Sequence, residues 1–150
     1  MSDIREDILT RLVEVIAGIP NMKSAQRNNT DIDETQMPAA IVIDGSEETT
    51  DTSDLSMRSA NRPTMVHMTP EIMILHQDAQ VGSELDVFRR ELIKRVLTDP
   101  QLCNLAGTAR QGNGAIRYLG CQFGIAQLRD VHAALTAQFL FKYALMPNDL

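Results

Sequence analysis

The chain has 150 residues, 43% apolar, with no Trp, four Phe and two Tyr, so a single domain with an aliphatic, Met-filled core is expected. Its net charge of −6 excludes a general DNA binder, which needs a basic stripe against the phosphates, but leaves open a protein whose lumen passes close to DNA. The charged start Met1-Ser-Asp-Ile-Arg-Glu-Asp is not a signal peptide, and the longest apolar-leaning uncharged stretch, 131–141, is too short to span a bilayer, so a soluble, cytoplasmically made protein is expected.

The first predicted element is a helix. Asp3 caps it, with Glu6 as capping-box partner. Ile4, Ile8, Leu12, Val15 and Ile16 recur on one face, Leu9 widens it, and Gly18 and Pro20 end it. A short edge strand over 22–27 and a polar loop over 28–36 follow. Met37-Pro38 then opens the run Ala39-Ala40-Ile41-Val42-Ile43, whose lack of alternation suits a strand covered on both faces.

Between Asp44 and Pro63 lies a polar, Ser/Thr-rich tract with almost nothing to bury. Connections this long in small domains are functional, or are disordered until bound. The tract at 44–63 is therefore expected to be a flexible contact arm on one folded domain. Beyond it, 65–76 reads as a strand whose even-numbered set, Val66, Met68, Pro70, Ile72 and Ile74, faces the core. Pro70, lacking an amide donor, implies an edge or bulge.

Ser83 can cap a second helix with the buried stripe Leu85, Phe88, Leu92, Val96 and Leu97. Asp99-Pro100 stops it, and 101–105 adds at most a helical turn. The Gly112-Asn113-Gly114 turn leads to two last strands, 115–121 and 131–145, the second strongly alternating. The expected fold is α+β, a mainly antiparallel four- to five-stranded sheet with two helices packed on one face.

The candidates for chemistry are weak. His67 and His76 lie an odd nine positions apart on one predicted strand, hence on opposite faces. Cys103 and Cys121 have no metal or redox spacing and read as buried reduced thiols. Asp44, Glu47, Glu48, Asp51 and Asp54 lack EF-hand spacing and read as a solvated loop. The chain has no Gly-x-Ser-x-Gly elbow, and its Gly-Asn-Gly turn lacks the Lys-Ser/Thr of a phosphate loop. No enzyme, metal or cofactor is expected. Arg89 and Arg90, interleaved with acids on the second helix, fit a solvated face or a subunit contact.

Three segments carry a resemblance: Met37-Pro-Ala-Ala-Ile-Val-Ile-Asp-Gly-Ser-Glu-Glu-Thr; Glu71-Ile-Met-Ile-Leu with Val81-Gly-Ser-Glu-Leu-Asp-Val-Phe; and Ala137-Gln-Phe-Leu-Phe-Lys-Tyr-Ala-Leu. In their order, and with the N-terminal helix, the chain resembles the tail terminator (minor tail) proteins of long-tailed bacteriophages, of the lambdoid type. The resemblance implies a non-enzymatic subunit that forms a homo-hexameric ring on the tail tube. The ring stops tube polymerisation and presents the surface for head attachment. Implied partners are further copies of the chain, the tube protein and a head-completion or connector protein. DNA passes through the ring without specific binding, and no membrane is involved. The implied locations are the host cytoplasm during assembly and then the virion tail. Glu47, Glu48, Asp51, Asp54, Arg58, Arg62, Arg89 and Arg90 are the expected assembly contacts. A head–tail neck connector is the alternative reading, and a small hydrolase or ligand-binding domain a more distant one.

Overall fold

The structure is a computed structural model and describes residues 3–29, 31–49, 64–77, 82–106, 115–127 and 131–145. In chain order it contains α1 (Ile4–Ala17), β1 (Ser24–Arg27), a 3-10 turn (Glu34–Gln36), β2 (Ala39–Ile43), β3 (Glu47–Thr49), β4 (Thr64–Met68) and β5 (Glu71–His76). Then follow α2 (Gly82–Thr98), α3 (Pro100–Ala106), β6 (Ile116–Gln127) and β7 (Val131–Leu145). The class is the expected α+β, with a mostly antiparallel open sheet. Among the described strands, β1 and β2 form the parallel pair.

Strand and helix numbers differ from expectation, for local reasons. The sheet has seven strands rather than four or five. The expected strand over 65–76 is cut at Thr69-Pro70 into β4 and β5, both of which pair with β7. β3 lies within the tract expected to be a flexible loop and pairs with β4. Because β6 holds one side of β7, β4 and β5 share the other, end to end. On their far side β3 lies beside β4 and β2 beside β5. The seven strands thus fill five rows, β1, β2/β3, β5/β4, β7 and β6.

The third helix replaces the expected helical turn. Pro100 ends α2, yet it stands at the first position of α3, where a missing amide costs nothing. The Asp99 carboxylate accepts from the Leu102 amide at 3.0 Å and caps the new helix. The strand expected over 115–121 runs on to Gln127. Gly120 there does not break it; its φ of +145° sits at a bulge, and pairing with β7 resumes beyond.

Periodicity decides which side chains are buried. Ile8, Leu9, Leu12, Val15 and Ile16 of α1 and Leu85, Phe88, Leu92 and Val96 of α2 are buried. They pack with one face of the sheet: Val66, Met68, Ile72, Ile74, Leu135, Ala137, Phe139, Phe141 and Tyr143. The even-numbered set of 66–74 faces this core, as its alternation predicts. The second face is covered at the β2–β5 end, where Ile32 and Met37 of the preceding loop pack on Ala39, Ile41, Leu75 and Ala134. This accounts for the unbroken apolar run of β2, covered on both faces as expected. Among the described residues no helix is long and apolar enough to cross a membrane.

Candidate assembly surface

The polar tract begins at a clamped root. Gly45 has φ +71°, and a Cβ there would lie 2.1 Å from the Thr69 carbonyl oxygen, so only glycine fits this crossing. The Thr69 amide donates to the Ser46 carbonyl at 3.1 Å, and the Thr49 hydroxyl to the Met65 carbonyl at 3.3 Å. Just before the turn, Asp44 receives a two-pronged contact from Arg27, Nε and Nη2 each at 2.8 Å. Arg5 reaches the same carboxylate at 3.5 Å. Arg27 also binds Glu6, the residue expected to complete the cap of α1. Arg27 holds the carboxyl groups of Asp44 and Glu6 below their usual range, and the two carboxylates raise its own pKa. One guanidinium thereby fastens β1 to α1 and to the end of β2.

Glu47 was expected to be an outward arm contact. It is instead held to the body by the Tyr143 hydroxyl, which donates to its carboxylate, and by Arg5 at 3.8 Å. Burial, and then the Glu47 carboxylate, push the Tyr143 hydroxyl pKa well up, so it stays a donor. Glu48, one position on, takes the opposite face, away from the helices. It lies 3.5 Å from His67, and its side chain is 68% exposed. The His67 Nδ1 is buried and has no hydrogen-bond partner among the described residues.

Arg89 and Arg90 lie elsewhere. Both pair with Asp86 on α2, at 3.3 and 3.7 Å, and Arg89 stands beside Tyr118 and Cys121 of β6. The structure therefore does not gather the expected contacts into one patch. Glu47 and Glu48 stand on β3 at one side of the sheet, whereas Arg89 and Arg90 belong to α2, with Arg89 near β6 at the other side. Asp51, Asp54, Arg58 and Arg62 lie outside the described residues.

His67 and His76 fall on opposite faces, as their spacing predicts. His67 shares the helix-free face with Glu48, and His76 pairs with Glu84 of α2 at 2.9 Å. His76 and Glu84 border a groove of about 660 Å³ that is also lined by Pro20, Met22, Pro38 and Phe88. The cysteine expectation needs correction. Cys103 is exposed on the outer side of α3, and Cys121 is only partly buried.

Sequence reasoning missed the outer edge of β6. Leu119 and Phe123, 46% and 49% exposed, stand on it. The signal was present: Ile116 to Gln127 carries one formal charge, Arg117, and no proline. The two edges suit contact with other surfaces through main-chain groups, arginines and carboxylates. No protein-family model matches the chain, and no curated protein matches it.

Proposed function

We propose that the chain is a structural subunit of a long bacteriophage tail, a terminator of the lambdoid type. Copies close into a ring on the tail tube, stop its growth and offer the surface to which the filled head attaches. The observation that carries this reading is the clamp at the root of the polar tract. Arg5, Arg27 and Tyr143 bind Asp44 and Glu47, so the tract leaves the sheet edge at a fixed place. A long polar segment anchored in this way suits an arm that takes its shape against a neighbour or the tube. The segments behind the family resemblance fall on β2–β3, β5–α2 and β7, around one open sheet. The net charge of −6 favours passage of DNA through a lumen over its retention.

The test is a deletion of residues 51–60, which keeps β3 and the clamp. In phage complementation, with tails measured by negative-stain microscopy, overlong or headless tails are expected. Particles of normal length carrying heads would show the tract to be a passive linker and overturn the proposal.

A further inference from the structure

The two free edges of the sheet are unlike. On one side β6 runs for 12 residues, roughly 40 Å at strand rise. It pairs with β7 alone among the described strands, so no described strand takes up its outer row of amides and carbonyls. Edge strands are normally blunted by lysine, proline or short length. This strand has a bulge at Tyr118/Gly120 and one arginine, and it shows Leu119 and Phe123 to solvent. A Cβ added at Gly120 or Gly124 would meet nothing within 4 Å, so the backbone there is approachable. Arg117 projects on the helix-free face, opposite Leu140 in register. On the helix side Arg89, paired with Asp86, stands beside Tyr118 and Cys121 of the strand.

On the other side β1 pairs with β2 only as far as Val42. Beyond that point no described strand lies outside β3. This edge is acidic. Glu47, Glu48 and Thr49 are all exposed, and Glu48 stands on the same helix-free face as Arg117. Among the described cations near it, Arg5 is engaged with Asp44 and Glu47, Arg27 with Asp44 and Glu6, and His67 faces Glu48, while Lys142 stands one row further in, opposite His67.

We infer that the β6 edge of one copy docks along the β3 edge of a second copy, continuing the sheet and setting Arg117 against Glu48. Pairing of β6 with a second β6 would bring arginine-flanked edges together. Pairing of β6 with β3 brings opposite charges together and leaves a free β6 and a free β3 at the ends, so the contact repeats. A repeating head-to-tail contact forms a ring if its rotation closes. Only that closure rests on the function proposed above; the contact itself is tested on purified protein.

The experiment is sedimentation equilibrium of the full chain over a range of concentration and salt. Phe123→Lys, Arg117→Glu, Glu48→Arg and the combined Arg117→Glu/Glu48→Arg chain are compared with the parent. Circular dichroism and melting temperature verify folding; every altered residue is exposed. The parent is expected to associate more weakly as salt rises. Each single change should weaken association about tenfold or more, and the combined chain should recover to within about threefold of the parent. A parent monomeric at millimolar concentration, a Glu48→Arg chain that associates like the parent, or a combined chain no better than its worse component would overturn the inference. If association follows this pattern while the 51–60 deletion still gives normal tails, the docking stands and the tail function falls.

Discussion

Single residues decide how the polar tract meets the body. Gly45 is the clearest case, because its left-handed φ coincides with a carbonyl 2.1 Å from where a Cβ would stand. Gly45→Ala must displace backbone, which is not a flexible neighbour. A loss of about 2–3 kcal/mol is expected, read as a lower denaturant midpoint at unchanged slope. The neighbouring ion cluster acts differently. Arg27 has no covalent reason to sit between Glu6 and Asp44, residues 21 and 17 positions away. It sits there because the parallel β1–β2 pair ends beside the first turn of α1.

Among the elements, α3 depends on one carboxylate with two tasks. Asp99 caps the helix and accepts both Arg11 contacts, Nε at 3.1 Å and Nη2 at 2.8 Å, joining α1 to α3. Its side chain is nine-tenths buried, and Arg11 holds its carboxyl below the ordinary value of 3.8. A lowered folded-state pKa means the stabilisation is complete above the ordinary value and is lost as pH falls through the lowered one. Asp99→Asn keeps a capping oxygen but removes the charge. Its melting temperature should lie a few degrees below the parent's at neutral pH. That gap should shrink as pH drops below about 4 and close where the parent's carboxyl is protonated. A gap independent of pH would mean that the cap, not the ion pair, joins the helices.

At the scale of the whole molecule, one sheet carries two unequal cores. The helix side holds the large aromatics Phe139, Phe141 and Tyr143, all fully buried. On the other side, among the described residues, Ile32 and Met37 reach over β2 and β5. The tract brings little to either by composition, since Leu55 and Met57 are its only large apolar residues. Replacing residues 51–60 with an equally long Gly/Ser segment should leave the melting temperature within about 2 °C of the parent. A larger fall, read by calorimetry, would show that the tract contributes to the fold.

Much of this protein was legible in its sequence, because face and period are local properties. The stripe of α1, the parity of 66–74 and the alternation of β7 each follow from side chains a few positions apart. The burial of β2 on both faces was legible in the same way. The tertiary structure alone decided what depends on distant partners. The strand expected over 115–121 runs on through Gly124 to Gln127 because the fifteen residues of β7 supply a ladder along its length. Glu47 and Glu48 read as parts of one solvated acidic loop, but the pleat sends one to Tyr143 and the other to His67. The placement of β3 and β6 at opposite sides of the sheet, which sets Glu48 far from Arg117, arises from strand order, which no local pattern encodes, because pairing is chosen by the closure of the whole core.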